Sequence, residues 1–593
     1  MLEHDDEMNE HGSDAELEDA LSAWRSIDPF TGRDDDLEDF APGFADRVLE
    51  AEALAQAIPR PVLLEADEPL PGPANVGWWR RGSVASWVAA TASAAVIAAV
   101  GVAVLPPRTD VGVAAPVTSG QAGYKTPEQL TSPSLSPDGT PGETMPADLD
   151  RRIESYIAGY GSNWGPAFEF HGVVLVARDG NVHYARGFGH ADTKTGRSND
   201  PTTRFRLGLL TEPFTATAVL QLRDRGQLEL DDPVSKFIPE YPEGHRITIE
   251  QLLSHTSGIP NYTDFPYFHV WKSQPHTTEQ MLRRFGPEPL EFEPGTGFAP
   301  TNSGYYLLGA IIERITGLDY GEYVARNIFE PAGMRASTFG DAYETGEQAH
   351  GNVWNDEEIL DPPDPIHMSV FGAAGGLVST PLDLVRWDQA LREGTIALPR
   401  TVEEMLSPNE AGYGYGWVVS EAYGQRLASF PGAIDGFNGS VLRFTGDRTL
   451  VVVLCNTEVV SGAQVANDVA MMVYGDDPPP RIEHRAIEIA PGTYPKYLGT
   501  YGVTDETREA FAHIVEPESF EQLDTVFVRQ VGARLYFDVP GHGMTWMHPM
   551  GHNQFFFKDH AGNTISFELD DEGRADALLL HFRDARFELR RKD

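Results

Sequence analysis

The chain has 593 residues, of which 41% are hydrophobic and ten are tryptophan. This length predicts more than one domain, and this composition predicts a packed core. The net charge of −44 argues against a nucleic-acid partner, because phosphate binding needs clustered lysine and arginine. The single cysteine, Cys455, excludes an intrachain disulfide. Its place in the apolar run 449–455 predicts a buried core thiol rather than a nucleophile.

An acidic segment opens the chain. Among the first fifty residues, 17 are Asp or Glu and 3 are Arg. Blocks of like charge repel one another and rarely pack into a core. We therefore expect residues 1–79 to be mostly disordered and to offer a contact for a cytoplasmic partner.

A long apolar run follows the acidic segment. Residues 83–105 contain no charged side chain, and as a helix they would span about 34 Å, enough to cross a bilayer core. The acidic stretch that precedes them is far too long for the start of a cleaved signal peptide. The run therefore predicts one transmembrane helix in the plasma membrane. Arg80 and Arg81 favour a cytoplasmic N-terminus and extracytoplasmic C-terminal domains, although Arg108 and Lys125 on the other side narrow that bias.

The composition changes three more times after this run. Residues 106–145 are rich in Pro, Gly, Ser and Thr, and predict an extended linker. Regular patterns over residues 146–476 predict the main domain, and three prolines at 478–480 mark a break. Residues 490–593 alternate short apolar runs with turn signals, which predicts an all-β module, either a small barrel or a curved sheet.

Several short motifs lie in order along the main domain. Residues 172–180 and 184–189 are two apolar strands around an Asp-Gly turn, which is a hairpin signal by itself. The other motifs are FRLGLLTEPFT at 205–215, QLELDDPV at 227–234, IEQLLSHTSG at 249–258, FEPG at 292–295, NSGYYLLG at 302–309 and AGGLVST at 374–380. Over roughly residues 150–475 the sequence resembles the serine β-lactamase-related and penicillin-binding-protein family, which includes class C β-lactamases, DD-peptidases and esterases. The resemblance implies an α+β fold, an α/β sandwich with a central antiparallel sheet flanked by helices.

Acyl transfer in this family, as the resemblance implies, needs four groups. A serine attacks the carbonyl carbon, and a lysine one helical turn later takes or orients its proton. A tyrosine in a Tyr-x-Asn loop acts as the partner base and acid. A strand carrying Lys-Thr-Gly or His-x-Gly closes the site and supplies a backbone N–H to the oxyanion hole.

All four side chains are replaced in this sequence. Leu209 stands at the serine position and Glu212 at the lysine position. Pro300 stands at the tyrosine position, and Phe430 at the cationic position of the strand. Leucine has no nucleophilic atom, proline has no proton to exchange, and glutamate reverses the local charge. The comparison with the family's motifs therefore predicts the fold without the acyl-enzyme chemistry, and it assigns no catalytic residue.

Other side chains of the same cleft are candidates for binding. Asn302 and Gly432 match the family's residue types, and Thr211 carries a hydroxyl that either packs or reacts. Glu212 is either a solvated or paired carboxylate or, in an apolar setting that raises its pKa, a general base. The predicted binding cleft comprises Leu209, Thr211, Glu212, Asn302, Phe430 and Gly432.

The remaining polar candidates are expected to be structural. In the family that the sequence resembles, the segment with Ser254, His255 and Ser257 stabilises a turn. Three histidines of the C-terminal module have spacings that match no zinc template, so we expect surface side chains and no metal or other cofactor. These histidines are His542, His548 and His552.

The sequence thus predicts a membrane-anchored pseudoenzyme that binds a small molecule or a cell-envelope protein outside the cytoplasm. Replacement of polar catalytic groups by Leu209, Pro300 and Phe430 makes the cleft more apolar, which suits binding by burial. Two alternatives stay open. One is an active hydrolase of altered mechanism that uses Glu212 or Thr211, and the other is a scaffold that makes protein contacts through the C-terminal module.

Overall fold

The computed structural model describes residues 145–592, apart from residues 163, 266, 341–346, 355–358, 479–483, 512–524, 540–542, 559–562 and 583–584. The predicted acidic segment, the predicted transmembrane helix and His542 lie outside the described residues, as does the linker apart from its last residue. In the part of the chain that is described, no helix combines the length and the apolar character needed to cross a bilayer.

The strands of the first folded region form one large sheet and three small ones. They are β1 (Gly172–Arg178), β2 (Asn181–Phe188), β3 (His190–Asp192), β4 (Arg197–Ser198), β5 (Phe205–Arg206), β6 (Thr338–Phe339), β7 (Val353–Trp354), β8 (Leu360–Asp361), β9 (Leu377–Ser379), β10 (Val418–Ala422), β11 (Gln425–Ile434), β12 (Phe437–Phe444) and β13 (Thr449–Cys455). The large sheet has the order β10-β11-β12-β13-β1-β2, and every neighbouring pair is antiparallel. The small sheets are β3-β4, β5-β9-β6 and β7-β8.

Helices of the first folded region cover the large sheet or connect its strands, whereas the last helix named below, Asp505–Phe511, belongs to the C-terminal module. They are α1 (Leu149–Ile157), α2 (Glu212–Asp224), α3 (Ile249–Leu253), α4 (Phe268–Trp271), α5 (Thr278–Phe285), α6 (Asn302–Thr316), α7 (Tyr320–Val324), α8 (Glu330–Ala332), α9 (Gly372–Gly375), α10 (Pro381–Arg392), α11 (Pro399–Met405), α12 (Gly462–Val473) and α13 (Asp505–Phe511). A π-helix, Ala325–Phe329, joins α7 to α8, and a 3-10 helix, Gly208–Thr211, leads into α2.

The two faces of the large sheet enter two separate cores, as the alternation of side chains along a strand requires. In β1, Val173 and Leu175 belong to the larger core, together with residues of α2 and α6. Val174 and Val176 face the other way and pack with α1 and α12. Helices therefore cover both faces, and the predicted α/β sandwich is confirmed. Cys455 lies in the second core, where burial raises the pKa of its thiol, as expected of a core side chain.

The hairpin predicted from the Asp-Gly pair is present. Asp179 and Gly180 connect β1 to β2, with φ angles of +51° and +78°. Two consecutive left-handed residues are typical of the type I′ turn, whose twist matches that of antiparallel strands. This local signal therefore sets the register between β1 and β2, at one edge of the large sheet.

The C-terminal module is a closed barrel, so the first of the two predicted forms is correct. Its strands are β14 (Gly499–Val503), β15 (Val526–Val531), β16 (Arg534–Val539), β17 (Gly543–Gly551), β18 (Gln554–Phe556), β19 (Thr564–Leu569), β20 (Ala575–Phe582) and β21 (Ala585–Arg591). Each strand pairs with the next, and β14 closes the barrel on β21. Rings of Tyr497, Tyr501, Phe555 and Phe567 contribute to its core, so side chains fill the interior.

One histidine of this module contradicts the prediction that all three are surface side chains. His548 is only 2% exposed, and its ring lies 3.9 Å from the Trp546 ring and 5.3 Å from the Phe556 ring, centroid to centroid. Burial, assisted by Lys558 and Arg534, lowers the pKa of His548 to about 3. His552 is exposed as predicted.

The burial of His548 has a cause outside its own strand. Phe556 stacks on Trp164 of the first folded region at 5.9 Å, and the Trp164 indole N–H donates to the carbonyl of His484.

Within the described residues, no group of three His, Cys, Asp or Glu side chains is arranged to hold a metal ion.

Candidate functional site

The motif of residues 205–215 forms a tight turn against strand β11. Gly208 has a φ of +53°, and a Cβ atom there would lie 2.3 Å from the Ala433 carbonyl oxygen. A Cβ atom on Gly432 would lie 2.6 Å from Leu210 Cγ and 2.7 Å from the Leu207 carbonyl oxygen. Glycine is therefore required on both sides of this contact. The close backbone approach expected at Gly432 is present.

Two side chains of this turn pack rather than project into a reactive site. Leu209, which the motif comparison assigns to the serine position, is half-buried against the larger core. Thr211 is completely buried, and its hydroxyl accepts a hydrogen bond from the Leu377 amide at 3.2 Å. The Thr211 hydroxyl thus joins the motif to strand β9.

Glu212, which the motif comparison assigns to the lysine position, lies in a buried cluster with two partners. Its Oε2 atom is 3.2 Å from His255 Nε2 and accepts a hydrogen bond from the Tyr413 hydroxyl at 3.0 Å. The Tyr413 hydroxyl is also 3.0 Å from His255 Nε2. The exposed fractions of Glu212, His255 and Tyr413 are 3%, 2% and 6%. We call these three residues the Glu212 cluster. Of the two interpretations of Glu212, the geometry matches the paired carboxylate.

The protons of the Glu212 cluster can be placed from its neighbours. His255 Nδ1 accepts a hydrogen bond from the Thr301 amide at 3.2 Å, so the neutral ring carries its proton on Nε2, toward Glu212. Burial first, and the charge of Glu212 second, raise the pKa of Tyr413 well above its usual value. Tyr413 therefore stays protonated and donates to the carboxylate. Buried carboxylates need such donors, because desolvation without them is very unfavourable.

His255 also positions the loop that carries Pro300, the residue that the motif comparison assigns to the tyrosine position. Its own backbone is left-handed, with a φ of +56°, and its carbonyl accepts from the Ala299 amide at 3.0 Å. Together with the bond to Thr301, this fixes both ends of the loop segment around Pro300. Pro300 itself is exposed. In the segment 254–258, the Ser254 hydroxyl donates to the Glu250 carbonyl at 2.7 Å, and the Ser257 hydroxyl accepts from the Ile259 amide at 3.3 Å, in line with the predicted structural role. His255 does more than predicted, since it reaches the motif.

Aromatic rings close the cluster on its other sides. Phe430 of strand β11, which the motif comparison assigns to the cationic position, is 5% exposed, and its ring centroid lies 6.3 Å from that of Tyr413. The half-exposed Phe298 lies 5.7 Å from Tyr413 and 6.3 Å from His255. The site predicted as an apolar cleft is therefore packed at Phe430 and Glu212.

Asn302, which the motif comparison matches to the family, has its hydrogen-bond partners outside the Glu212 cluster. Its side-chain amide nitrogen, Nδ2, donates to Asn261 Oδ1 at 3.1 Å and to the Thr263 hydroxyl at 3.3 Å. It opens helix α6, where Thr301 is the N-cap. Of the six predicted cleft residues, the turn and β11 bring together Leu209, Thr211, Glu212, Phe430 and Gly432, whereas Asn302 belongs to the neighbouring loop network.

Sequence reasoning missed the residue that holds Glu212. Tyr413 lies in the run Gly-Tyr-Gly-Tyr-Gly at 412–416, and a Cβ atom on Gly416 would lie 2.8 Å from Pro213 Cα. This glycine alternation was an available signal for a close approach of two chain segments. A second missed pair is Lys272 and Asp435, a buried ion pair at 2.6 Å beside the end of β11. No local pattern marks that pair.

The Glu212 cluster can share protons, but it contains no serine hydroxyl. The Glu212 cluster contains a carboxylate, an imidazole and a phenol within hydrogen-bond distance, which is the chemistry of a proton-sharing network. Leu209 has no oxygen, and each member of the cluster is at least nine-tenths buried. Its geometry therefore suits a stabilising network beneath the motif turn.

Comparisons with known proteins agree with this fold. The family model described as Beta-lactamase matches residues 167–473. Penicillin-binding protein 4* of Bacillus subtilis is 27% identical over 422 residues, covering 66% of this chain and 89% of that protein. The putative penicillin-binding protein PbpX of the same organism is 29% identical over 313 residues, covering 52% of this chain and 75% of that one. The octameric penicillin-binding protein homologue from Pyrococcus abyssi superposes with a TM-score of 0.51 and 25% identity, over 74% of this chain and 99% of that chain. The chain therefore belongs to the beta-lactamase family.

Proposed function

We propose that this chain is a non-catalytic member of the beta-lactamase family that acts by binding a cell-envelope protein or small molecule outside the cytoplasm. The observation that carries the proposal is the state of Glu212. This carboxylate replaces the lysine, is buried, and is hydrogen-bonded by Tyr413. A group held in this way is poorly placed to accept a proton from a substrate, and Leu209 supplies no atom to attack one.

The location is part of the same proposal. An apolar helix over residues 83–105 would anchor the chain in the plasma membrane, with the acidic N-terminus in the cytoplasm. The folded domains would then lie outside. The packing at Phe430 and Glu212 favours contacts through the outer surface over a ligand buried beneath the motif turn.

Two of the relatives are named penicillin-binding proteins. We do not expect this chain to react covalently with penicillin. A β-lactam acylates a serine hydroxyl, and the corresponding side chain here is Leu209. Turnover of nitrocefin and p-nitrophenyl acetate by the full-length chain in detergent tests this, with penicillin-binding protein 4* of Bacillus subtilis as a parallel sample. We expect no rate above the buffer rate. A rate that Glu212→Gln abolishes would overturn the proposal.

One observation favours a second candidate, a hydrolase of altered mechanism. The Glu212 cluster joins three proton-carrying groups within 3.2 Å. In such an enzyme Glu212 would act as a general base on a water molecule. Since Tyr413→Phe would remove only one donor, that enzyme would keep measurable turnover in the variant and lose it in Glu212→Gln. The non-catalytic proposal expects no turnover in either.

A further inference from the structure

A cavity of about 450 Å³ lies apart from the Glu212 cluster. One side of helix α6, from Tyr306 to Glu313, forms a wall, and α7 with the following π-helix forms another. Strand β6 and helix α9 complete it. Neither the four replaced catalytic positions nor the predicted cleft residues line it. Its volume falls in the range of roughly 300–1,000 Å³ that is typical of small-molecule sites.

The ionisable lining of this cavity is acidic. Glu313, Asp319 and Glu322 contribute carboxylates, and no lysine or arginine is among the lining side chains of this described cavity. Glu322 is ion-paired with Arg326, which leaves Glu313 and Asp319 as the main negative charges. Burial lowers the pKa of the lining residue His276, so its ring is neutral at pH 7. The cavity therefore favours a cation.

Glu313 is held in position at the cavity wall. One carboxylate oxygen accepts from the Thr278 hydroxyl at 3.0 Å, and the other from the Tyr320 amide at 3.0 Å. Each oxygen keeps a further lone pair for another donor. Partial burial raises the pKa of Glu313 because the charged form is poorly solvated. A nearby positive charge would stabilise that charged form. The group is preorganised for an ammonium ligand.

Aromatic side chains supply the rest of the recognition surface. Tyr306, Tyr320, Phe329 and Phe339 line the cavity. The Tyr306 hydroxyl donates to the Ser369 carbonyl, and the Tyr320 hydroxyl is bonded to that of Thr215. Because these polar ends are engaged, the rings act as an apolar surface. Aromatic rings also attract cations through their quadrupole.

The backbone at this cavity departs from a regular helix. The π-helix Ala325–Phe329 interrupts the continuous helical segment of α7 and α8, and both of its end residues line the cavity. π-Helical insertions are rare and occur frequently at functional sites. This feature is independent of the charge and the ring composition, and it points to the same place.

From this geometry we propose that the cavity binds a small organic ammonium ion, with its charged nitrogen at Glu313 and its apolar body against the four rings. This site goes beyond the proposed function and does not depend on it. It does not use the Glu212 cluster, so either proposal can fail without the other.

The test uses phenethylammonium as the probe and isothermal titration calorimetry on the full-length chain in detergent. We expect saturable binding with one probe per chain. Glu313→Gln keeps the shape of the side chain but removes its charge, and should weaken binding at least about tenfold. Glu279→Gln is the matched control, since Glu279 lies near Glu313 but does not line the cavity, and should change the affinity by less than about twofold.

Two further measurements make the result independent of the fold of one variant. Ala325→Met fills the cavity from its half-exposed rim and should also weaken binding at least about tenfold. Phenethyl alcohol, which is neutral, should bind at least about tenfold more weakly than the ammonium ion. Circular dichroism checks that each variant is folded. The proposal is overturned by absence of saturable binding, by equal affinities of alcohol and ammonium, or by a folded Glu313→Gln or Ala325→Met that binds like the parent.

Discussion

The hydroxyl of Tyr413 donates a hydrogen bond to the carboxylate of Glu212 across 3.0 Å, and so joins two residues that are 201 positions apart in the chain. The motif comparison predicts that Glu212 takes the place of the family's lysine, and Tyr413 holds Glu212 in a packed interior. His255 completes the contact from a third segment. These hydrogen bonds connect the motif turn, the 412–416 loop and the loop around Pro300.

The Tyr413 bond should contribute measurably to stability. Tyr413→Phe removes the donor and leaves a buried carboxylate oxygen with one partner fewer, which should lower the free energy of unfolding by about 1–3 kcal/mol. Tyr415→Phe is the control, because the Tyr415 hydroxyl bonds the exposed Glu250 and its loss should lower the free energy by less than about 1 kcal/mol. Urea denaturation followed by tryptophan fluorescence measures both. Equal losses in the two variants would contradict the assigned role.

Gly432 should not tolerate a methyl group. An alanine Cβ would lie 2.7 Å from the Leu207 carbonyl oxygen and 2.8 Å from the Leu210 amide nitrogen, so the backbone of the motif turn must shift. We expect Gly432→Ala to destabilise the chain by about 1–3 kcal/mol. Gly304→Ala is the control in helix α6, where a Cβ has 3.5 Å or more to its neighbours and should be neutral or slightly stabilising. Thermal denaturation of both variants decides the matter.

The buried ion pair of Lys272 and Asp435 should show strong coupling. Removal of either partner leaves an unpaired buried charge, so Lys272→Met and Asp435→Leu should each cost about 3–5 kcal/mol. The double variant should recover most of that loss, because neither charge remains. A double-mutant cycle in urea measures the coupling. Additive losses would show that the two side chains do not depend on each other.

His548 should make the barrel sensitive to acid. Its pKa is about 3 in the folded chain, below the usual value of 6.5, so the unfolded chain binds more protons between these limits. Stability is therefore full above pH 6.5 and falls as the pH drops toward 3, by about 2 kcal/mol between pH 6.5 and pH 5. His548→Phe should remove this loss, whereas His552→Phe, at an exposed position, should keep it. Urea midpoints of the barrel transition at the two pH values test the prediction, and an unchanged pH dependence in His548→Phe would contradict it.

The family resemblance predicted the α/β sandwich, and local patterns predicted the hairpin and the C-terminal β module, whereas long-range packing decided the site. The hairpin and the barrel were predictable because their signals involve residues that are close in sequence. These signals are the turn at Asp179 and Gly180 and the alternating apolar runs of the barrel strands. The partner of Glu212 was not predictable from the sequence, because Tyr413 contacts Glu212 only in the tertiary fold. His548 was predicted on the surface for the same reason. The sequence around His548 does not reveal that Phe556 packs against both His548 and Trp164 of the first folded region.

The central claim is the absence of acyl-enzyme chemistry at Leu209, and intact mass spectrometry tests it most directly. The full-length chain is incubated with excess benzylpenicillin beside penicillin-binding protein 4* of Bacillus subtilis, and both are weighed. We predict no increase in the mass of this chain, for the parent and for Glu212→Gln alike. An adduct of one penicillin per chain, formed by the parent and lost in Glu212→Gln, would contradict the account.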